Sequence, residues 1–571
     1  MKLAGGQSGL TCAWTVEEGS GSAYVGASDS PSLSAPCDRA VRLRVPFEKK
    51  VAVKVSPGGG APVAEYVKVH DILSVSIGDS FTSGEGNPDV PAKMKWTSTD
   101  QDPVTSGGYS SAIPGYIPLR KRDGDYFAAQ WIDRACHRSA YSYPIRSAIQ
   151  LALNHPHRAV TFLGYGCSGA EINEGLFGAY QGPEKTSKQD MPNYKKAQLS
   201  LMLNELCVSQ PATDVDEKLE EWEEDARIKN GRYRFGNDEA DAVSDAAFKC
   251  PAGKGFKRPV DVLSLGIGGN DVGFAKWIAA SITKYNGGMD LAFLPIMKDD
   301  PDCNATNRTS CDVTEGRWRR FKARLALLRK FLSERVVYRV PEQQPVVVFT
   351  YPDTVADTTT TCKTGNAGMT VADLEMICLW DEQKQGSREI NALGKIGYFV
   401  KNKLNTEIAS FAKAAPPEKQ WKLATDADDF IGDFKGRNFC ATLNTPAEPS
   451  SACNDLQKNR ELQMSASVLD TQKAIDETLL IPRKSGEVWK PFDPAINFSP
   501  YHHRHRWLRT VNDVYMLINQ QPAQTRQSID VTLLGLAQPA LHGAFHPTAQ
   551  AHARVADSFA TSAETVIQKP Q

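Results

Sequence analysis

Apolar residues along the chain follow two different patterns. Val41, Leu43, Val45, Val51, Val53 and Val55 alternate with polar neighbours, the period-two signature of half-buried strands. Pro46-Phe47-Glu48-Lys49-Lys50 interrupts them, and Ser56-Pro57-Gly58-Gly59-Gly60 reads as a turn or linker. Residues 1–68 therefore predict a small β-rich module. From Asp71 the pattern changes to short continuous apolar runs at 72–77, 159–163, 260–265 and 345–350, with 420–424 as a candidate fifth. Stretches of helical character lie between and after them at 139–154, 272–282, 317–337 and 389–414, with another at 506–519. Continuous runs suit strands buried on both faces, and their alternation with helices predicts an α/β fold, a parallel sheet covered on both sides. Two segments break the alternation and read as insertions, 182–257 and 441–499. The first is expected to be largely helical and acidic, with its charge-dense run 214–234 forming a solvated helix face.

Chemistry collects at the ends of the runs. Ile77 leads into Gly78-Asp79-Ser80, and Leu163 into Gly164-Tyr165-Gly166-Cys167-Ser168-Gly169-Ala170. Leu265 leads into Gly266-Ile267-Gly268-Gly269-Asn270-Asp271, and Phe545-His546-Pro547-Thr548 opens the last helical segment. Open α/β sheets gather ligands beyond the carboxyl ends of their strands. In this order the four stretches resemble the four blocks of the SGNH, or GDSL, hydrolase family. The secreted bacterial branch is the closer resemblance, through Ser83-Gly84-Glu85-Gly86, Cys136-His137-Arg138-Ser139, Ser142-Tyr143-Pro144, Tyr351-Pro352-Asp353 and Arg506-Trp507-Leu508-Arg509-Thr510. The likeness covers roughly residues 70–565, so the hydrolase domain is expected over 69–571.

The resemblance implies a three-layer α/β/α fold of flavodoxin-like order that hydrolyses carboxylic esters through an acyl-serine, without cofactor or metal. Ser80 would be the nucleophile and His546 its base. The backbone N–H groups of Ser80 and Gly169 and the side-chain amide of Asn270 would receive the oxyanion. A serine hydroxyl needs such a base, and imidazole titrates in the right range. One position departs from the pattern: Gly543 stands where the family carries an aspartate, three residues before the histidine. Three readings stay open: a Ser-His dyad with a main-chain carbonyl orienting His546, an acid brought in from Asp530 or Asp353, or a degenerate enzyme. The substrate would be a small-molecule, lipid or acylated-glycan ester. The alternative from another class is a non-catalytic glycan- or surface-binding protein on the same scaffold.

Charge and cysteine narrow the setting. Lys+Arg 66 against Asp+Glu 67 gives a net charge of -1, so no strong field draws the chain to nucleic acid or an anionic membrane. No apolar run is long enough for a transmembrane helix, and residues 1–6 lack a signal-peptide core. Twelve cysteines without a CxxC pair read as disulfides of an exported chain, secreted or periplasmic, whose leader is missing. Sequence neighbours suggest Cys12–Cys37 and Cys207–Cys250, and the family resemblance implies Cys136–Cys167 and Cys303–Cys311. Cys362, Cys378, Cys440 and Cys453 pair as neighbours, or Cys440 crosses to one of the first two. His502, His503 and His505 fit a solvated or partner-lining patch better than a metal site. Asp79 and Asp271 read as braces for their turns. In the N-terminal module, only Trp14 and Tyr24 hint at carbohydrate binding.

Overall fold

The computed structural model describes residues 3–17, 24–25, 32–41, 43–89, 131–178, 180, 182, 197–211, 226–229, 232–235, 243–244, 248–273, 315–352, 400–426, 430–434, 437, 507–509, 543 and 545–567. The chain divides into two compact units: Met1–Ser74 with Ala148–Phe162 and Gln568–Gln571, and Val75–Ser147 with Leu163–Ile567.

The first unit opens with strands β1 (Thr11–Glu17), β2 (Tyr24–Val25), β3 (Ser32–Pro36), β4 (Leu43–Arg44), β5 (Lys50–Pro57) and β6 (Val63–Lys68). Four of them form an antiparallel sheet in the order β3-β1-β5-β6, and β2 pairs with β4. Val51, Val53 and Val55 point one way from β5, as the alternation requires, and bury against Trp14, Val16 and the Cys12–Cys37 disulfide. The earlier alternation yields less strand than expected, since only Leu43–Arg44 of its first half is extended. Trp14 is 2% exposed, so its ring is core and offers no face to a sugar.

Strands β7 (His70–Gly78) and β8 (Arg158–Gly164) begin in the first unit and end in the second. After them come three short strands of the first insertion, β9 (Ala226–Lys229), β10 (Arg232–Phe235) and β11 (Val243–Ser244), which pair antiparallel. These strands depart from the helical expectation at the end of the charge-dense run, whose residues 214–225 lie outside the described residues, whereas residues 198–206 of the same insertion are helical. The sequence Ala-Arg-Ile-Lys-Asn-Gly-Arg-Tyr-Arg-Phe alternates with period two around an Asn-Gly pair, a strong short-range hairpin signal. Lys229 pairs with Arg232 accordingly. Continuous strands β12 (Val262–Gly266), β13 (Val346–Val348) and β14 (Lys422–Leu423) complete a five-stranded sheet in the order β14-β13-β12-β7-β8. β12 pairs parallel with β13, and β13 with β14. Counted along the chain, this is the flavodoxin-like order, with β7 central and a switch in direction between β7 and β12.

The described helices are α1 (Ser80–Ser83), α2 (Tyr143–Leu153), α3 (Gln198–Leu206), α4 (Glu315–Arg335), α5 (Asn405–Lys413), α6 (Phe430–Asp433) and α7 (Ala549–Val566). α7 starts where the sequence places it, because the Thr548 side chain accepts a hydrogen bond from Ala551 N–H as N-cap. Residues 507–509, expected to begin a helix, are extended instead. Leu508 bridges Pro547, and the Arg509 and Phe545 N–H groups donate to the carbonyls of His546 and Arg509. Pairing with the histidine segment gives the Trp507 carbonyl and both backbone groups of Arg509 the partners that a helix would have supplied, and the Trp507 N–H donates to the Arg437 carbonyl.

Besides Cys12–Cys37, the structure contains Cys136–Cys167 and Cys207–Cys250, and no cysteine is free among the described residues. The other six cysteines, the histidine run at 502–505, Asp353, Asp530 and residues 274–282 and 441–499 lie outside the described residues. No described helix is long and apolar enough to cross a membrane.

Candidate active site

The site is built at the switch between β7 and β12. β7 is buried from Asp71 onward and ends at Gly78, whose φ is 153°. A Cβ there would lie 2.1 Å from the Gly266 carbonyl oxygen, so the two strand ends can approach this closely only with glycine. The Gly78 peptide is clasped from both sides by one side chain. Its N–H donates to Gln198 Oε1 at 2.9 Å, and Gln198 Nε2 donates to its carbonyl at 2.8 Å. Gln198 opens α3 in the first insertion, so that segment helps to hold the strand end rather than merely decorating the surface.

Asp79 then caps α1, accepting from Phe81 N–H at 3.0 Å while its own N–H donates to Gly266 at 2.8 Å. Tyr351, beyond β13, donates its hydroxyl to Asp79 and accepts from Gly269 N–H at 2.9 Å. The brace expected of Asp79 thus reaches the asparagine turn. Burial pushes its carboxyl up to about 7, against the hydrogen bonds from Tyr351 and Phe81 that pull it down. Ser80 is the first residue of α1, where backbone N–H groups have no partner within the helix. Gly84, at φ 87°, ends this single turn and returns its N–H to the Ser80 carbonyl.

His546 meets Ser80: Nε2 lies 2.6 Å from Oγ. Its ring also packs on Phe81, with centroids 5.0 Å apart. The preceding Phe545 has φ 64°, an uncommon conformation for a bulky residue, and is held by its backbone pairing with Arg509. Further support comes from the loop after α1. Asn87 Nδ2 donates to the Pro547 carbonyl at 2.8 Å, and Arg509, 1% exposed, donates Nη2 to Asn87 Oδ1 at 2.7 Å.

The glycine and asparagine turns also converge. Asn270 Nδ2 donates to the Ala170 carbonyl at 3.1 Å, next to Gly169. Asp271 fastens this junction: its carboxylate accepts from Ile172 N–H at 3.1 Å and from Arg324 Nη1 at 2.9 Å. The same guanidinium nitrogen reaches Glu171 at 3.0 Å. Burial raises the Asp271 carboxyl to about 6, with Glu171 adding to the rise and Arg324 opposing it. Gly169 has φ 85°, and a Cβ there would fall 2.0 Å from the Tyr180 hydroxyl. Among the described residues, neither the Ser80 nor the Gly169 N–H has an intramolecular acceptor.

Thus the structure brings Ser80 and His546 into direct contact and joins Gly169 to Asn270 through Ala170. Sequence reading missed Gln198, Arg324 and Tyr180, which carry no motif and reach the site only through the fold. It quoted Glu85 and His137 as part of a resemblance without giving them a role. They form a buried hydrogen-bonded pair, with His137 Nδ1 at 2.7 Å from Glu85 Oε2.

No protein-family model matches the chain, and no curated protein does. Among solved structures, it is similar to an extracellular lipase from Streptomyces rimosus, at 16% identity over 70% of this chain and 99% of that one, TM-score 0.26. It is also similar to phospholipase A1 from Streptomyces albidoflavus NA297, at 14% identity over 70% and 98%, TM-score 0.25. A carbohydrate esterase shares 12% identity over 82% and 90%, TM-score 0.20. At likenesses this slight, the fold assignment rests on the sheet order itself.

Proposed function

We propose that this chain is a serine-dependent carboxylic ester hydrolase of the SGNH type. The observation that carries this reading is the 2.6 Å contact between Ser80 Oγ and His546 Nε2 at the switch point of the sheet. His546 takes the hydroxyl proton as Oγ attacks the ester carbonyl, then returns it to the leaving alkoxide. The acyl-serine is hydrolysed by water activated at the same nitrogen. The developing oxyanion is received by the N–H groups of Ser80 and Gly169 and by the Asn270 amide, donors worth roughly 2.7–4 kcal/mol each when removed. A main-chain carbonyl is our reading of what orients His546. The three disulfides among the described residues fit an exported protein acting on small, lipid or acylated-glycan esters.

A panel of p-nitrophenyl esters of increasing acyl length, run with a triglyceride, a phospholipid and an acetylated xylan, tests the activity and sorts the substrate class. Turnover of at least one member is expected. No turnover across the panel, with glycan binding retained, would favour the non-catalytic alternative.

Gly169 gives a sharper test of the oxyanion site. Gly169→Ala imposes both the φ of 85° and the 2.0 Å contact with Tyr180. Losing one oxyanion donor costs on the order of 10²–10³ in kcat. A fall of that size is expected, with KM little changed. Adding Tyr180→Phe removes the hydroxyl and leaves the ring carbon at 3.0 Å as the nearest atom. The double variant should recover part of the loss. Full activity in Gly169→Ala alone would remove Gly169 from the oxyanion site.

A further inference from the structure

Tyr351 sits where the nucleophile turn and the asparagine turn meet. It lies just beyond β13 and is 2% exposed. Its hydroxyl donates to Asp79 Oδ2 and accepts from Gly269 N–H at 2.9 Å. The other oxygen of that carboxylate, Oδ1, accepts from Phe81 N–H at 3.0 Å. An unbroken run of hydrogen bonds therefore leads from the residue after Ser80 to the residue before Asn270. A hydroxyl can serve both sides because it gives one hydrogen and keeps lone pairs to accept another. Burial and the neighbouring Asp79 push it well above its ordinary value, so it keeps the proton that it donates. The side chain is itself held in place. Asn405, the first residue of α5, clasps its peptide: Tyr351 N–H donates to Oδ1 at 2.9 Å, and Nδ2 donates to the Tyr351 carbonyl at 2.7 Å. Its ring meets Phe81 and Phe349 edge-on, with centroids 5.1 and 5.3 Å apart. On the far side a Cβ on Gly269 would lie 3.2 Å from Tyr351 Cζ, so glycine lets the turn close on the ring.

An oxyanion formed on Ser80 has to be met by donors already at hydrogen-bond distance. The Asn270 amide carries two hydrogens, and one of them goes to the Ala170 carbonyl at 3.1 Å, which leaves the other for the oxyanion. That bond fixes Asn270 against the glycine turn, not against the nucleophile. The nucleophile turn is tied to β12 through Gly266, whose carbonyl accepts from Asp79 N–H at 2.8 Å and from Thr82 Oγ1 at 3.1 Å. Between Gly266 and Asn270, however, lie Gly268, at φ 123°, and Gly269, the residue type that constrains its own backbone least. A tie at Gly266 alone leaves that stretch room to drift. We propose that Tyr351 is a positioning residue for ester hydrolysis, whose hydroxyl sets the separation between Ser80 and the Asn270 amide by joining Asp79 to Gly269. This rests on the ester-hydrolase reading above. Groups whose rotamers are locked by packing and hydrogen bonding are the ones that can hold a neighbour to such a tolerance.

Tyr351→Phe keeps the ring and removes both bonds. Its kcat on p-nitrophenyl acetate should fall roughly 10- to 100-fold with KM little changed, since a misplacement of about 1 Å costs on the order of 10². In an Asn270→Ala background the same substitution should lower kcat by less than about threefold, because the group that it positions is already gone. A tyrosine that only stabilised the fold would act otherwise: it would lower the melting temperature in both backgrounds and leave the kcat of the folded protein alone. If Tyr351→Phe does not fold, because the buried Asp79 has lost a donor, Asp79→Asn/Tyr351→Phe carries the same expectation. It removes the charge and keeps an oxygen for Phe81 N–H. Wild-type kcat in the folded variant, or a comparable fold-loss in both backgrounds, overturns the proposal. Loss of the hydrolase reading would look different: wild-type protein would then neither turn over the ester nor react with a fluorophosphonate at Ser80.

Discussion

Ser80→Ala should remove ester hydrolysis almost completely, by on the order of 10⁶ in kcat, the scale found when the serine of a Ser-His pair is deleted in the worked protease example. The substitution is well suited to separate chemistry from folding. Among the described residues, the hydrogen bond made by Ser80 Oγ is the 2.6 Å approach to His546. The bonds that the turn makes to Ser80, from Ser83 Oγ and the Gly84 and Glu85 N–H groups, all end on its carbonyl, which alanine retains. Alanine is also a good residue at the start of a helix. The variant should therefore melt close to the wild type while losing turnover and losing labelling by a serine-directed fluorophosphonate. An active alanine variant, or covalent labelling at another serine, would put the nucleophile elsewhere.

The second large effect is on stability. Arg324→Met is expected to cost about 3–5 kcal/mol, because it strips the counter-charge from a carboxylate that remains buried. Asp271 is 5% exposed and would keep only the Ile172 N–H as partner. The effect should depend on pH in a definite sense. The Asp271 carboxyl already sits up at about 6 in the folded protein, above its unfolded value, and removing Arg324 raises it further. A carboxyl with a raised folded value favours folding when protonated, so its contribution is lost as pH rises. The variant's deficit should be largest at neutral pH. It should shrink as pH falls through about 6, below which the carboxyl is protonated in both folded proteins. Urea denaturation of both proteins at neutral and mildly acidic pH measures this directly. A deficit that does not change with pH would mean that Arg324 acts through packing alone. Because Asp271 follows Asn270 in the chain, kcat is expected to fall with stability even below the midpoint of unfolding.

Much of the sheet was legible in the residues. Ile72–Ile77 reads as a doubly buried strand because nothing in it needs water except two small serines, and β7 is buried through that run. The start of α7 was visible in Thr548, whose side chain can cap only the residues that follow it. The hairpin of the first insertion is carried by its Asn-Gly pair, a local signal that the helical reading, drawn from the acidic charge, did not take up. Trp507-Leu508-Arg509 shows a different limit. The residues have no strong local preference for strand, and their extended form comes from pairing with a distant segment, as Leu508↔Pro547 records.

The candidate site divides in the same way. Local sequence determined which turns end the strands, and the chemistry of glycine, serine, asparagine and histidine marked those turns as candidates. It also placed Gly543 where the family that the chain resembles carries an aspartate. It could not reveal which side chains would arrive from a distance. Gln198 grips the Gly78 peptide from 120 residues away, and Arg324 reaches Asp271 across 53. Hydrogen bonds and ion pairs of this kind leave no periodicity and no spacing rule, because their partners are chosen by the three-dimensional packing of separate elements. Glu85 and His137, 52 residues apart, became a hydrogen-bonded pair only when folding removed both from water. A charge in solvent is screened, whereas the same charge buried near a histidine acts on it strongly. That change of surroundings, not the identity of either residue, is what only the tertiary structure could decide.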